Sequence, residues 1–240
     1  MPGRSLSPPQ GIDNPADDPD TLLSMMNLAT SYAAAGRTQE ALQLREETLQ
    51  LMKAKLGPEH VNTLMSMSNL GASYYAAGRT QEALQLREET LQLMKAKLGP
   101  DHPYTLMSVS NLASSLASLP DAKLRDPQRA MDLAAKAVAG DPKNADFRDT
   151  LGTARYRAGD WKGAIADLEQ ALRLRKADDS ANSSAGFFLA MAYWQVGDKA
   201  KAREWFDKSV VWMDKSKNDD AELKRFRAEA AELLVVKENR

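Results

Sequence analysis

Gly36–Pro58 reads GRTQEALQLREETLQLMKAKLGP, and Gly78–Pro100 repeats it letter for letter. The offset is 42 residues, and the likeness continues upstream, where SYAAAG from Ser31 answers SYYAAG from Ser73. Similarity at a fixed spacing of this order marks a chain built by stacking one supersecondary unit on the next. Such chains grow by adding units, so the 240 residues need not divide into globular domains of ordinary size. What they offer is extended surface, which implies recognition.

Around the duplicated stretch the apolar residues recur at helical spacing. Met25, Leu28, Ala29 and Tyr32 form an i, i+3, i+4, i+7 stripe, predicting a helix with one buried face over Thr21 to Ala35. Gly36 ends it, because glycine takes the left-handed conformation without a Cβ penalty. Thr38 is placed to cap a second helix that runs to about Leu56, where Gly57–Pro58 stops it. Leu42, Leu49, Met52 and Leu56 supply its packing face. Met67, Leu70, Gly71 and Tyr74 repeat the plan. A third unit keeps Val109, Leu112, Ala113 and Leu116, but LPDAKLRDP replaces the short turn before a second helix at Gln128 to Ala139. A fourth keeps Leu151 and Gly152, and a fifth Leu189, Ala190 and Tyr193. Asp219 to about Val235 reads as one more amphipathic helix, with Leu223, Phe226, Ala230, Leu233 and Leu234 on one side. A single closing helix hides the last apolar surface of a stack. The expectation is an all-α chain, an α-solenoid winding as a right-handed superhelix. Five helix pairs (21–62, 63–104, 105–144, 145–182 and 183–218) and a capping helix over 219–235 make one domain over 20–235, after a flexible leader over 1–19.

Composition narrows the function classes. Lysine plus arginine (32) nearly balance aspartate plus glutamate (33), so no nucleic-acid or membrane-surface partner shows in the totals. The chain has no cysteine, which excludes disulfides and thiol catalysis and suits a reducing, cytoplasmic setting. No apolar run approaches the roughly 18 residues of a membrane span. No cofactor or metal is expected. The two histidines, His60 and His102, stand a whole repeat apart without carboxylates at ligand spacing. They read as linker residues that shape the start of a helix, with Pro103 as a first-turn proline.

The order Leu28-Ala29-Tyr32-Gly36-Ala41 and its echo Leu70-Gly71-Tyr74-Gly78-Ala83 resemble the tetratricopeptide repeat. Glycine or alanine lets the two helices of a pair approach closely, and the aromatic fills the space beside them. With KLGPEHVNTL and KLGPDHPYTL as joins, the first units resemble the longer variant found in kinesin light chains. From Asn111 onward the chain is similar to the C-terminal repeat region of planctomycete bacterial serine/threonine protein kinases, although no kinase motif is present. The fourth unit departs from the pattern, with Arg155 in the aromatic position and Tyr156 one place later.

Asn27, Asn69 and Asn111 stand 42 residues apart on successive first helices. The resemblance to kinesin-light-chain repeats implies contact with a peptide backbone at this place, since an amide both donates and accepts. The alternative is a hydrogen bond between neighbouring repeats. Thr30, Tyr75, Tyr156 and Trp194 are further candidates for the concave peptide-binding groove, and Met26 and Met65 for an adaptable apolar strip. Trp161, Trp205 and Trp212 read as packing residues, and core packing competes with the groove for Trp194. Arg45 and Arg87, with Glu46–Glu47 and Glu88–Glu89 beside them, read as a solvated face of ion pairs, or as a basic lining for an acidic peptide. No constellation supports catalysis. The expected role is therefore a protein-interaction module that binds a protein or peptide ligand, with self-association as the alternative.

Ala83→Asp places an unpaired carboxylate between closely approaching helices, at a cost of several kcal/mol (about 3–5). A variant that melts with the parent would remove Ala83 from that contact.

Overall fold

The computed structural model describes residues 19–175, 182–216 and 220–236. The expected leader, apart from residue 19, lies outside them. Among the described residues are eleven α-helices and no strand, so the all-α class is as expected. In chain order they are α1 (Pro19–Ala34), α2 (Thr38–Lys55), α3 (Val61–Ala76), α4 (Thr80–Leu98), α5 (Pro103–Ser118) and α6 (Pro127–Gly140). There follow α7 (Ala145–Ala158), α8 (Trp161–Leu174), α9 (Asn182–Gln195), α10 (Lys199–Ser216) and α11 (Ala221–Val236). A 3-10 turn, Ala122–Leu124, occupies the unusual connection before α6. The chain forms two compact units, one up to Lys97 and one from Leu98.

Local chemistry sets the helix ends. Gly36 and Gly78 have φ of 75°, and Gly159 and Gly197 have φ of 87° and 91°, left-handed values that reverse the chain between the helices of a pair. Asp126, Asn144 and Asp160 cap α6, α7 and α8, accepting backbone N–H groups of Arg129, Phe147 and Gly163 at 3.0–3.2 Å. Thr38 is not a cap. It is the first helical residue of α2, after Arg37, whose guanidinium pairs with Glu40 and lies 4.1 Å from the centroid of the Tyr32 ring. His60 and His102 do shape the starts of α3 and α5: each Nδ1 accepts an N–H, from Asn62 and Tyr104, at 3.2 Å.

Close approach organises the pairs. In the first unit Ala83 of α4 is 0% exposed, and a Cβ on Gly71 of α3 would lie 3.9 Å from its carbonyl oxygen and 3.2 Å from Arg87 Cγ. In the second unit a Cβ on Gly152 of α7 would meet Leu168 Cγ of α8 at 2.6 Å and the Ala164 oxygen at 3.2 Å. Ala41, Ala130 and Ala202 are likewise buried on α2, α6 and α10.

A second contact ties one repeat to the next. The Tyr74 hydroxyl of α3 donates to Glu46 of α2 at 2.9 Å, while Arg79 pairs with the same glutamate at 2.8 Å and lies 4.1 Å from the centroid of the Tyr74 ring. In the second unit Tyr193 of α9 donates to Glu169 of α8 at 2.6 Å. The fourth repeat's departure has a physical reason. Arg155 turns to Asp167 of α8 at 2.7 Å, and Tyr156 packs edge-on against Phe188 at 5.6 Å between centroids.

Several expectations about burial are corrected. Leu28 is 45% exposed whereas its repeat equivalent Leu70 is 3%, because no helix pair precedes α1 among the described residues. Trp161, in the first turn of α8, is an exposed residue. Arg45 and Arg87 do not form a solvated face: Arg45 donates to Ser73 of α3, with burial lowering its pKa, and Arg87 packs beside Gly71 and Tyr75.

Two outcomes follow for denaturation experiments. Gly152→Ala drives a methyl into the fully buried Leu168 and costs about 1–3 kcal/mol, whereas Gly71→Ala meets a flexible arginine stem and stays within about 1 kcal/mol of the parent, helped by helix propensity. Equal losses would contradict the difference in packing. For Tyr74, burial and then the Glu46 contact raise the phenol pKa from 10.0 to about 12. The stability from the neutral phenol is therefore fully present below pH 10.0 and lost as pH rises to about 12. Tyr74→Phe should cost about 1 kcal/mol at neutral pH and flatten that alkaline loss, measurable by melting across pH.

Candidate functional site

The first unit presents Asn27 and Thr30 on α1 and Asn69 on α3, all exposed. The hydroxyls of Ser31 and Ser73 bond back to the carbonyl oxygens of Asn27 and Asn69 at 3.0 and 3.1 Å, one turn earlier. Tyr75 is half-buried, its ring centroid 5.4 Å from the Arg87 guanidinium. Met26 and Met65 are half-buried.

The second unit holds the more developed site. Between α5 and α7 lies a cleft of about 620 Å³, lined in part by Asn111. Leu106, Met107 and Phe147 give it an apolar floor, and Ser110, Ser114 and Thr150 add hydroxyls. Ser110 of α5 donates to the Thr150 hydroxyl of α7 at 3.2 Å, so small polar side chains both join the helices and line the cleft. Asp101, Asp141 and Asp146 rim it, with no lysine or arginine among the lining residues. The Asp146 carboxylate is paired with Arg175 at 2.7 Å, which offsets part of this acidic rim. The cleft thus joins an apolar floor to largely polar walls, a concave place where a ligand can sit.

Two candidates belong to the core of this unit. Trp194 is 4% exposed and packed in the apolar cluster, so it is not an anchor facing a groove. It lies on the side of α9 that its neighbours cover, which a single helix's periodicity does not reveal. Tyr156 is half-buried against the same cluster, and burial followed by the nearby Glu229 charge raises its pKa. Sequence reasoning passed over Met107, Ser110, Ser114 and Thr150. The available signal was repeat position: Met107 stands 42 residues after Met65, and at 48% exposure it is the more accessible methionine.

Buried acids are structural. Asp149 is held by Arg175 at 2.9 Å and Asp167 by Arg155 at 2.7 Å, each pair tying α7 to the α8 region. Burial raises both carboxyl pKa values against the opposing pull of those arginines. Among the described residues no group of three His, Cys, Asp or Glu side chains could hold a metal ion, and no helix is long and apolar enough to cross a membrane.

Comparison with known proteins sets this geometry in context. Among solved structures, a Podosopora anserina protein described as a kinesin light chain with nearly identical TPR-like repeats is 26% identical, with a TM-score of 0.64, over 83% of this chain and 97% of that one. A thermophilic TPR protein of Thermus thermophilus (21% identity, TM-score 0.61) matches over 89% and 99% of the two chains. BtubC from P. vanneervenii (20% identity, TM-score 0.63) matches over 83% and 82%; these last two likenesses are of fold. A comparison with curated proteins finds no significant match. Two family descriptions, both tetratricopeptide repeat, match the sequence, one over residues 20–96 and 66–122 and the other over 150–221. With helix pairs closed by Gly71, Ala83, Gly152 and Ala164 in the positions the repeat requires, the chain belongs to the tetratricopeptide repeat family.

Proposed function

We propose that this chain is a non-catalytic, cytoplasmic binding module that takes an extended peptide or partner helix along the inner face of its first helices. Repeats of this family serve protein–protein interaction and scaffolding. The observation that carries the finer reading is the cleft between α5 and α7, with Asn111 and three hydroxyls over an apolar floor. Asn27 and Asn69, exposed at the equivalent positions, support an asparagine ladder that holds a peptide backbone, with neighbouring side chains setting specificity. The resemblance from Asn111 onward favours a setting in which the module recruits substrates or regulators to a bacterial serine/threonine kinase.

A second reading, self-association, rests on Leu23 and Leu28, which are exposed on α1 and offer an apolar edge to another copy. Light scattering over a concentration series separates the two, because a monomer throughout removes self-association.

The groove is tested by selecting binders from a random peptide library. Peptides enriched on the parent should bind a variant carrying Asn69→Ala and Asn111→Ala, matched for melting temperature, about tenfold more weakly, the loss expected for two hydrogen bonds of ordinary worth. Equal binding would keep a groove but discard the ladder, and no enrichment would count against a peptide site.

A further inference from the structure

The cleft of the second unit does not stop where its open part ends. Ser114 and Thr150 line it and also line a second, smaller cleft of about 90 Å³ that continues along α5, α7 and α9. The far wall of this continuation is α11, through Glu222 and Phe226. The C-terminal helix packs on α9 and α10 and reaches the other two first helices, α5 and α7, through single side chains. Phe226 packs edge-on to Phe188 of α9, 4.8 Å between ring centroids. Glu229 takes both terminal nitrogens of Arg157 of α7, one at 2.7 Å. Arg225 donates to the Ser118 carbonyl oxygen of α5 at 2.5 Å. Leu223, Phe226, Ala230 and Leu234 are all buried, the anchor spacing of an amphipathic helix seated in a groove.

The seat has two parts: Leu223, Phe226, Ala230 and Leu234 join the apolar cluster around Phe188, and beside them the contact is polar, as in a docked interface. Beneath α11 the small cleft is lined largely by polar groups, among them Ser118, Thr153, Ser184 and Asp149. Apolar cores close to crystal-like density, whereas interfaces keep polar, water-sized spaces. Arg157 points the same way: its side chain is 7% exposed, and the carboxylate that pairs with it comes from α11. A guanidinium so placed is a receptor for an acidic residue on whatever helix lies there.

We propose that α11 is an intramolecular ligand: the face formed by α5, α7 and α9 receives an amphipathic helix presenting an aromatic ring to Phe188 and a carboxylate to Arg157, and a partner helix with these two features displaces α11. This rests on the binding role given above and adds both the partner's chemistry and the occupant that a partner must remove. Intramolecular occupancy lowers apparent affinity by the fraction of molecules that are open, so weakening α11 should strengthen binding in trans.

The test uses the full chain and a fluorescent synthetic peptide of residues 220–236. A chain carrying Phe226→Ala and Glu229→Arg, both on α11 itself, should bind this peptide at least about tenfold more tightly than the unaltered chain. A peptide with the same two substitutions should lose that binding. Equal affinity of the two chains would overturn the proposal, as would a variant whose circular dichroism shows that α7 to α10 no longer fold, since α11 would then be part of the core. Hydrogen exchange on the unaltered chain gives an independent check. The amides of α11 should exchange through an opening that leaves α7 and α9 protected, and equal protection would refute displacement. Library peptides that bind the chain yet are not competed by the 220–236 peptide would leave the binding role standing and remove this inference alone.

Discussion

Two helices can cross at short range where one of them puts no side chain into the contact. In the first unit that place is Gly71 against Ala83, and in the second Gly152 against Ala164 and Leu168. The contact fixes the separation of a pair. The separation in turn decides how far the larger residues beside it, Leu70, Leu151 and Leu168, are covered. The same contact is not equally tight everywhere. At Gly71 the nearest side chain is a bending arginine stem, and at Gly152 it is a leucine with no room to move.

Pairs alone do not make an array, and a polar tie carries the next level of order. Tyr74 reaches back to Glu46, and Tyr193 to Glu169, each crossing from one repeat to the second helix of the repeat before. The ring fills the space beside the close approach while the hydroxyl finds a carboxylate, so one side chain serves both packing and register. Where the pattern changes to arginine at position 155, the cation is satisfied within its own pair by Asp167, and the displaced tyrosine joins the aromatic cluster around Phe188. The fourth repeat keeps its packing by moving the polar partner to a new place.

The same economy shapes the recognition face. First helices that approach through serine and threonine leave short hydroxyls along the cleft, and Ser110 and Thr150 join α5 to α7 while lining it. Arg157, at the other end of that face, binds the glutamate of α11. The terminal helix covers an apolar end against α9 and α10 and also reaches α5 and α7 through Arg225 and Glu229. That gives the second unit a face partly open and partly filled from within.

The sequence by itself determined the helix pairs, their turns and the residues of closest approach. Those features are local: periodicity near 3.6 marks a helix, Gly36 and Gly78 permit the left-handed turn, and small residues recur where helices must touch. It also exposed the anomaly at Arg155, though not its resolution. Only the tertiary structure decided which equivalent residues are covered, because coverage comes from whatever lies alongside. Leu28 and Leu70 share a position and differ in exposure, Trp194 is enclosed where a groove anchor was possible, and Arg45 lies against α3 rather than in solvent. The seating of α11 was equally hidden. Its apolar stripe told that one face is buried, but the choice of α5, α7 and α9 as its seat depends on Ser118, Arg157 and Phe188, which only folding brings to one side.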